Sequence, residues 1–358
     1  MTAIFHDKTI LVTGGTGSMG RTFVKRVLSG ELGTPKKVII LSRDEAKQHD
    51  MRISYLLKRA ATDEVIYRNF QNVLEFRIGD VRNYADVCAS VRDADIVVNA
   101  AALKQVPVCE YFPYQAVLTN CSGVANIVRA IEENRYPVET VIAISTDKAC
   151  KPVNVMGMTK SIQERIIIAA NILNPQTRFI CVRYGNVLAS RGSVIPLFHD
   201  QIRNGGPVTV TVPEMTRFLL SLDQAVDTVF TALKEAGRGE TYVPGAPSSS
   251  VINIAKALIE ERDIEIKITG IRPGEKMHEI MVSEEEANHC VKRGDYYAIL
   301  PMLPELRQNG KEEPNALSKE FSSEDTVLNY IETLNLIKQH NLMIDESAHY
   351  SQNNELLR

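Results

Sequence analysis

One short segment of the chain combines hydroxyl, carboxylate and amine side chains. Residues 145–148 read Ser-Thr-Asp-Lys, and a second amine follows at Lys160. The segment directly follows an apolar run, residues 141–144, that is typical of a buried strand. A carboxylate beside an amine can supply an acid and a base to one substrate carbon. The sequence therefore predicts an acid–base site at this strand end; the alternative is a surface Asp-Lys pair that caps a helix.

The elements that must position this segment are predicted from an alternation of apolar runs and amphipathic stretches. The predicted strands are residues 9–13, 37–41, 74–78, 96–100, 141–145 and 179–183, and the predicted helices between them include 20–29, 84–91, 113–134 and 154–174. Continuous apolar strands separated by helices indicate an α/β fold with a Rossmann-type doubly wound parallel sheet. Such a sheet binds its ligands at the carboxyl ends of the strands, where residues 145–148 are expected to lie.

The pattern changes after residue 186, where turn-rich segments separate shorter elements. Helices are predicted at residues 222–236, 253–262, 283–291 and 323–339. We interpret residues 1–186 as a Rossmann domain to which later segments can return, and residues 187–308 as a smaller C-terminal substrate-binding lobe. Residues 309–358 are interpreted as a C-terminal helix and a polar tail. The lobe is expected to close over the strand ends of the first domain.

The composition argues against several classes of protein. The 358 residues include 44% hydrophobic and 24% charged side chains with a net charge of −3, so neither nucleic acid nor an anionic membrane is an expected partner. No apolar run is long enough to span a bilayer, and residues 1–8 lack the apolar core of a signal peptide. The six cysteines are scattered without metal-binding spacing, which predicts no metal site and reduced thiols in a cytoplasmic protein.

The first predicted strand leads into a glycine-rich turn and then a helix. Gly14, Gly17 and Gly20 have the spacing of a dinucleotide-binding motif. Glycines at these positions let the backbone turn tightly and approach a pyrophosphate, which then lies at the helix N-terminus. The sequence therefore predicts a dinucleotide site, and a plain tight turn is the alternative.

The end of the second predicted strand indicates which dinucleotide is bound. An acid there binds the ribose 2'-hydroxyl of NAD, whereas an arginine accommodates the 2'-phosphate of NADP. Ser42 and Arg43 precede Asp44, so NADP is favoured over NAD, although a helix N-cap with a solvated Arg43 is compatible with either. At the next two strand ends, Asp80 could meet the adenine amine, and the small residues 100–102 give a flat cofactor access to the backbone.

Together these motifs resemble the extended short-chain dehydrogenase/reductase superfamily over most of the chain. The TGxxGxxG motif, the NAAA run, a substrate-side strand end and the RPGEK segment match residues 13–20, 99–102, 183–187 and 272–276. Four segments resemble, more narrowly, the UDP-N-acetylglucosamine 4,6-dehydratases of bacterial surface-polysaccharide synthesis: residues 42–45, 102–107, 145–149 and 272–279. The resemblance implies an NADP-dependent lyase that makes a UDP-4-keto-6-deoxy-hexosamine for capsule or lipopolysaccharide sugars.

One position departs from the superfamily pattern. The signature Tyr-x-x-x-Lys reads Met156-x-x-x-Lys160 in this chain. The phenol that normally removes a proton from the alcohol being oxidised is missing, and a thioether cannot replace it. The branch of capsule-type dehydratases tolerates this substitution, so the resemblance implies an active enzyme; a catalytically silent protein is the alternative.

The resemblance implies a mechanism in which bound NADP+ takes a hydride from C4 of the sugar and later returns it to C6. The temporary ketone acidifies C5, where Lys148 is the candidate base and must be a neutral amine. We expect burial and Lys160 to lower the pKa of Lys148, and Asp147 to oppose that shift. Asp147 is the candidate acid for the departing O6. Thr146 is left to hydrogen-bond O4, and Lys160 is expected to bind the nicotinamide ribose.

The remaining site residues are carried over from the matching motifs. The cofactor-binding residues expected besides Lys160 are Gly14, Thr16, Gly17, Ser18, Met19, Gly20, Ser42, Arg43, Asp80, Val81, Ala100, Ala101, Ala102, Lys104 and Asn120. The expected substrate-binding residues are Lys104, Tyr184, Asn186, Val194, Arg217, Arg272 and Glu275. Asn186 and Arg272 are candidates for the diphosphate and uridine, and Glu275 for the ribose hydroxyls. For the charged residues, the alternative is a solvated position in a loop. For Tyr184, the alternative is packing in the core.

Other functions remain open from the sequence. A UDP-sugar 4-epimerase shares fold, cofactor and substrate class, but returns the hydride to C4. A dehydratase that also inverts the configuration at C5, or afterwards at C3, is a further possibility, because the ketone makes the C–H groups on both sides of it acidic. A silent NADP-binding regulator is suggested only by Met156. The resemblance also implies a homo-oligomer, a dimer or a hexamer, with residues 113–134 and 154–174 as packing helices.

Overall fold

The computed structural model describes residues 3–56, 64–188, 193–307 and 313–344. Its strands are β1 Thr9–Thr13, β2 Lys37–Ser42, β3 Leu74–Ile78, β4 Ile96–Asn99, β5 Thr140–Thr146, β6 Arg178–Tyr184, β7 Asn186–Val187, β8 Val208–Val210, β9 Thr216–Leu220, β10 Thr241–Pro244, β11 Ser248–Ser250, β12 Ile266–Ile268, β13 Ile280–Val282, β14 Cys290–Arg293, β15 Tyr296–Ile299, β16 Phe321–Ser322 and β17 Val327–Leu328.

The helices lie between these strands. They are α1 Ser18–Leu28, α2 Glu45–Leu56, α3 Glu64–Val73, α4 Tyr84–Val91, α5 Val106–Tyr111, α6 Pro113–Ala116, α7 Gly123–Asn134, α8 Val155–Leu173, α9 Val194–Arg203, α10 Leu222–Glu235, α11 Val251–Ile259, α12 Glu284–Ala287 and α13 Tyr330–Gln339. A π-helical turn, Val117–Ser122, joins α6 to α7, so the predicted helix 113–134 is nearly continuous. A 3₁₀ turn, Asp147–Ala149, directly follows β5.

One large sheet organises the molecule. Its strand order is β14-β15-β10-β6-β5-β4-β1-β2-β3. The neighbours from β10 to β3 are parallel, whereas β15 and β14 run antiparallel. This mostly parallel, doubly wound sheet confirms the predicted α/β class of Rossmann type.

Both faces of the sheet are buried, which explains the continuous apolar pattern of its strands. Successive strand residues point to opposite faces. In β1, Ile10 and Val12 pack into one apolar layer and Leu11 packs into the other. Phe23 of α1 belongs to the first layer, and Ile127 of α7 belongs to the second. The helices therefore cover both sides, and the strand ends remain as the place for a ligand.

The C-terminal part of the chain contributes both to the large sheet and to a separate layer. β10, β14 and β15 extend the sheet beyond β6. A second sheet has the order β17-β11-β9-β7, and a third apolar cluster around Phe198, Leu258 and Ile337 joins α9, α11 and α13. The division of the chain at residue 186 into a domain and a lobe stays a prediction.

Two predicted helices beyond residue 186 were wrong in extent. In the segment 283–291 only α12 is helical, because Cys290 and Val291 pair with β15 as buried residues of β14. In the segment 323–339 the helix begins only at Tyr330, after the N-cap Asn329. Beyond residue 344 the predicted polar tail lies outside the described residues.

Candidate active site

A cleft of about 1100 Å³ opens at the carboxyl ends of β1, β2, β4, β5 and β6. The start of α9, strand β9 and the loop before β13 form its other wall. The predicted site residues that line it are Gly14, Thr16, Gly17, Ser18, Met19, Gly20, Ser42, Arg43, Asp80, Val81, Ala100, Ala101, Ala102, Lys104, Thr146, Lys148, Met156, Lys160, Tyr184, Asn186, Val194, Arg217, Arg272 and Glu275. Segments far apart in sequence are thus brought to one cavity.

The glycine turn after β1 leaves no room for side chains. Gly14 has a φ of +67°, and a Cβ there would lie 2.8 Å from the backbone of Ala101. A Cβ at Gly20 would lie 2.6 Å from Cα of Gly15. The N-cap of α1 is Gly17, so no side chain caps this helix end. An uncapped helix N-terminus beside backbone that only glycine can form fits the pyrophosphate of a dinucleotide.

Charged side chains of both signs line the cleft at the end of β2. Asp44 accepts a hydrogen bond from the backbone N–H of Lys47 at 3.0 Å and pairs with its ammonium at 2.6 Å, so its carboxylate caps the start of α2. These contacts lower the pKa of Asp44, with the Lys47 side chain as the main cause. Arg43 is half exposed and lies 3.7 Å from the Asp80 carboxylate. Arg43 and Lys47 therefore face the cleft while the acid beside them is already engaged.

Asn120 lies behind the cleft wall, contrary to its predicted contact with the cofactor. It is fully buried in the π-helical turn, and it does not line the cleft. Its amide exchanges hydrogen bonds with both backbone groups of Leu103 at 2.8 and 3.0 Å, and donates to the Thr159 hydroxyl at 3.0 Å. Asn120 therefore ties the loop after β4 to α8 and shapes the cleft without reaching it.

The 3₁₀ turn after β5 places the predicted acid–amine pair. Thr146 donates a hydrogen bond to Asp147 Oδ1 at 2.8 Å, and Lys148 Nζ lies 3.1 Å from the same oxygen. The turn packs tightly against α8, because a Cβ at Gly157 would lie 2.2 Å from the carbonyl oxygen of Lys148. Gly157, at the start of α8, thus lets the helix pack directly against the backbone of Lys148.

Asp147, the predicted acid for the departing O6, does not line the cleft itself. Its side chain is completely buried beneath Thr146 and Lys148, which do line the cleft. Burial raises the pKa of Asp147, and nearby Glu279 adds to that shift against the opposing effect of Lys148. Its second oxygen, Oδ2, has no hydrogen-bond partner among the described residues. These features favour a protonated carboxyl that communicates with the cleft through its neighbours.

Glu279 belongs to the acid–base cluster, although the sequence analysis did not single it out. Its Oε1 lies 3.0 Å from Lys148 Nζ, and its side chain is 3% exposed on the cleft wall. The expected lowering of the Lys148 pKa was wrong: burial does act to lower it, but Asp147 and Glu279 together raise it. The only sequence signal was the position of Glu279 in the 272–279 segment, which lies 131 residues from Lys148.

Lys160 is the lysine whose pKa is lowered. It lies in the cleft wall with Met156, one helical turn before it, as the spacing predicts. The Lys160 ammonium donates to the Ile144 carbonyl at 2.6 Å and to the Gln163 side chain at 2.9 Å. Burial lowers the pKa of Lys160 to about 8. Met156 packs with Cys109 and Ala116 and adds no proton-transfer group.

Three hydroxyls of the cleft wall have unused hydrogen-bonding capacity. The Oγ1 atom of Thr119 and the Oγ atoms of Ser145 and Ser193 are buried without a partner among the described residues. Buried polar groups are normally satisfied, so all three are candidates for contact with a ligand. Ser145 belongs to the segment on which the sequence prediction was based, whereas Thr119 carried no recognisable signal.

The substrate side of the cleft is held by the loop before β13. The Asn154 side chain, which caps α8, donates to the Gly274 carbonyl at 2.8 Å. Lys276 donates to the Cys150 carbonyl at 2.6 Å. These bonds fix Arg272 and Glu275 over the cleft. Across from them, Asn186 accepts a hydrogen bond from Lys148 at 3.1 Å, a contact that was not predicted.

A buried ion-pair network lies beneath the site. Arg183 of β6 is 2% exposed and donates to Glu164 of α8 at 2.7 and 3.1 Å. The same guanidinium donates to Glu286 of α12 at 2.7 and 2.9 Å. Despite burial, Arg183 lowers the pKa of Glu286 to about 2. The network therefore joins α8, which carries Met156 and Lys160, to the C-terminal part of the chain.

Some kinds of site find no support in the described parts of the chain. No group of His, Cys, Asp and Glu there could hold a metal ion. No helix in the same ranges is both long and apolar enough to cross a lipid bilayer.

Sequence comparisons find relatives with two different named activities. A family model described as polysaccharide biosynthesis protein matches residues 10–301. The chain is 44% identical over 301 residues to a UDP-glucose 4-epimerase of Rickettsia conorii, covering 83% of this chain and 84% of that protein. It is 41% identical over 319 residues to a UDP-N-acetylglucosamine 4,6-dehydratase (inverting) of Campylobacter jejuni, covering 88% and 90%.

Structural comparisons agree with the fold. The protein Pen from Bacillus thuringiensis superimposes with a TM-score of 0.83 at 34% identity, covering 95% of this chain and 99% of that one. A dTDP-glucose 4,6-dehydratase from Streptomyces venezuelae superimposes with a TM-score of 0.64 at 19% identity, covering 75% and 86%. The second likeness is evidence of a common fold alone.

Proposed function

Because this chain belongs to the polysaccharide biosynthesis protein family and is a sugar-nucleotide-modifying enzyme of the extended short-chain dehydrogenase/reductase type, we propose that it is a UDP-N-acetylglucosamine 4,6-dehydratase. The observation that carries this proposal is the contact of Lys148 Nζ with the buried Asp147 carboxyl, 3.1 Å apart at the cleft wall. Epimerisation at C4 needs no proton transfer at C5 or O6. Dehydration needs both, and a coupled amine and carboxyl supply them.

The proposed reaction passes through a 4-keto sugar. When bound, the nicotinamide supplies a hydride acceptor at C4 and a hydride donor at C6. Lys148 removes the C5 proton, which the adjacent ketone has made acidic. Because Asp147 is covered, its proton reaches O6 through the Thr146 hydroxyl, which lines the cleft and donates to Asp147 Oδ1 at 2.8 Å. The hydroxyl turns its own proton to O6, and Asp147 Oδ1 then donates in its place. The C6 hydroxyl then leaves as water. When C6 receives the hydride, Lys148 returns its proton to C5, and the proton released from O4 during the oxidation replaces the one lost from Asp147.

Lys160 and the hydroxyls of β5 are proposed to serve the oxidation at C4. With Met156 in place of a phenol, the hydroxyls near O4 are those of Thr146 and Ser145, and the Ser145 Oγ atom has no other partner among the described residues. Lys160 would bind the nicotinamide ribose, and a pKa of about 8 leaves a fraction of neutral amine near neutral pH that can take up the proton released from O4.

The proposed cofactor is NADP rather than NAD. Asp44 is engaged by Lys47 and by the start of α2, whereas Arg43 is half exposed in the cleft and has a longer contact, 3.7 Å, with Asp80. We expect Arg43→Ala to weaken NADP binding by roughly tenfold to a hundredfold, the range of one charge-assisted hydrogen bond, with NAD affinity nearly unchanged. Calorimetric titration with both dinucleotides checks this. Arg92→Ala, on an exposed arginine paired with Asp93, is the control. Equal losses for the two dinucleotides would contradict the assignment.

The substrate contacts remain proposals from their positions in the cleft. Arg217 and Arg272 would hold the diphosphate and uridine together with Asn186, and Glu275 would bind the ribose hydroxyls. The residues proposed to complete the sugar pocket are Lys104, Tyr184 and Val194. The product would serve capsule or lipopolysaccharide sugar synthesis.

A homo-oligomer, dimer or hexamer, is proposed as well. It is supported by apolar side chains exposed on α8, with Met158 48% and Ile162 50% exposed. These two residues are one helical turn apart and lie on the same face of the helix.

A UDP-sugar 4-epimerase is the second candidate, favoured by the name of the rickettsial relative at 44% identity. Incubation with UDP-N-acetylglucosamine and NADP in deuterated water, followed by mass and proton spectra, decides between the two. The proposed dehydratase gives a product lighter by one water with deuterium at C5. An isomer of unchanged mass would identify an epimerase. Bound cofactor without conversion of any UDP-sugar would identify a silent regulator.

A further inference from the structure

The ammonium of Lys148 lies between two buried carboxyl groups. Asp147 Oδ1 is 3.1 Å and Glu279 Oε1 is 3.0 Å from Nζ, and Asn186 Oδ1 is a third acceptor at 3.1 Å. The second oxygens of both carboxyl groups, Oδ2 and Oε2, are buried without a partner among the described residues. All three ammonium protons are thus engaged in hydrogen bonds. Each carboxyl group has one further oxygen that can carry a proton.

Two carboxylates and one neutral amine carry a total charge of −2. The cluster is therefore electrically neutral when its three groups share two added protons. A buried cluster favours its neutral form. With Glu279 ionised and Lys148 charged, the second proton lies on Asp147, as the raised pKa of Asp147 and the lowered pKa of Glu279 indicate. Asp147 is then ready as an acid, but Lys148 cannot act as a base until it gives up a proton.

The acceptor of that proton cannot be Asp147, which already carries one. Glu279 is the other carboxylate in contact with Lys148. Among the described residues, Arg217 of β9, at 3.9 Å, and Lys276 of the preceding loop are further cations near Glu279. In the proposed function, the negatively charged diphosphate of the substrate compensates the positive charge of Arg217. Once Lys148 is neutral, the main attraction that keeps Glu279 ionised is gone and burial favours its protonation.

We propose that Glu279 is a positioning residue that accepts the proton of Lys148, so that the neutral amine and the protonated Asp147 coexist at the moment of dehydration. The inference rests on the proposed function and names a third member of its acid–base set. The proton balance closes. Lys148 passes one proton to Glu279 and takes one from C5, while Asp147 releases one to O6. When C6 receives the hydride, Lys148 gives its proton back to C5 and regains one from Glu279. The proton that left O4 during the oxidation replaces the one lost from Asp147, so the cluster again holds two.

The backbone around Glu279 is built to hold it in this position. The N–H of Glu279 donates to the Ser323 hydroxyl at 2.9 Å, and its carbonyl accepts from the N–H of Ser323 at 2.8 Å. The side chain therefore projects from the C-terminal part of the chain onto the turn after β5. Its contact with Lys148 completes the acid–base set across the cleft.

The test uses a readout that needs neither substrate nor turnover. Lys148 is 22% exposed in the cleft, so a small amine-reactive anhydride can reach it, and mass spectrometry can follow its labelling against pH. Only the neutral amine reacts. Because the Glu279 charge raises the pKa of Lys148, Glu279→Gln should move the labelling midpoint of Lys148 to lower pH by about one unit or more.

The second readout is turnover. We expect Glu279→Gln to lower kcat by about 100-fold with a KM change within about threefold, and to move the pH–rate profile to lower pH, because a proton acceptor is lost and substrate contacts are kept. Glu279→Asp keeps the charge on a shorter side chain and should give intermediate values in both readouts. Glu324→Gln is the control, on an exposed carboxylate that pairs with His278 and lies off the cleft.

An unmoved labelling midpoint in both Glu279 variants would overturn the inference, and so would a kcat of Glu279→Gln within twofold of the unsubstituted enzyme. If the unsubstituted enzyme dehydrates no UDP-sugar, the proposed function fails. The labelling experiment still decides whether Glu279 sets the proton affinity of Lys148, so the two failures are distinguishable.

Discussion

Lys148→Ala is expected to abolish dehydration of UDP-N-acetylglucosamine, with a loss in turnover of about 10³-fold or more, near the upper range for a positioned proton-transfer group. The alanine variant lacks the amine that is proposed to remove the C5 proton. It also leaves Asp147 and Glu279 without the cation that they share. The decisive measurement is deuterium uptake at C5 in deuterated water, which should fall to the background rate while NADP binding stays close to that of the unsubstituted enzyme.

A matched control lies three residues away. Lys151 is a half-exposed lysine that pairs with Glu320 on the surface, so Lys151→Ala removes the same charge from the same segment outside the cleft. We expect its turnover to stay within about twofold, as for other exposed ion pairs. Continued C5 exchange in Lys148→Ala would remove Lys148 from the mechanism, whereas loss of exchange in both variants would point to damage of the turn after β5.

The largest effect on stability is expected from Arg183→Met. Methionine fills a similar volume but leaves Glu164 and Glu286 buried without a counter-ion, which we expect to destabilise the fold by about 3–5 kcal/mol. Urea denaturation followed by circular dichroism measures the change. Arg129→Met, which removes an exposed pair with Glu133, serves as the control and should leave the midpoint unchanged.

The cause of that instability can be tested directly. If unpaired carboxylates are responsible, adding Glu164→Gln and Glu286→Gln to Arg183→Met should recover a large part of the lost free energy, since no buried charge then remains in the network. A triple variant no more stable than Arg183→Met would instead assign the loss to packing. Arg183→Met with unchanged stability would show that the network contributes nothing.

The large sheet could be predicted from the sequence because its central strands are buried on both faces. β1, β3 and α4 begin and end at the predicted residues, and α8 differs by one residue at each end. Its cap residue, Asn154, was already the predicted boundary. The errors lie near the C-terminus, where segment 283–291 contains a capping box at Ser283 followed by a short edge strand. The capping box supports a helix only at the start of this segment, and pairing with β15 makes its end a strand.

The candidate site could be predicted only in part, because some of its chemistry depends on contacts distant in sequence. Lys148 and Asp147 stand out by type and position, but the pKa of Lys148 depends on Glu279, which only the fold brings within 3.0 Å. Asn120 was a plausible ligand contact by motif, yet its amide is used by Leu103 and Thr159. Lys160 was predicted to lower the pKa of its neighbour, and burial instead lowers its own.

The position of β10, β15 and β14 beside β6 has a consequence for any shortened version of this protein. A fragment ending near residue 186 would contain the whole glycine turn and the Asp-Lys pair, yet β6 would present its outer border of N–H and C=O groups to solvent. Such a border is a template for pairing with other molecules. The N-terminal half on its own should therefore aggregate rather than behave as an independent nucleotide-binding domain.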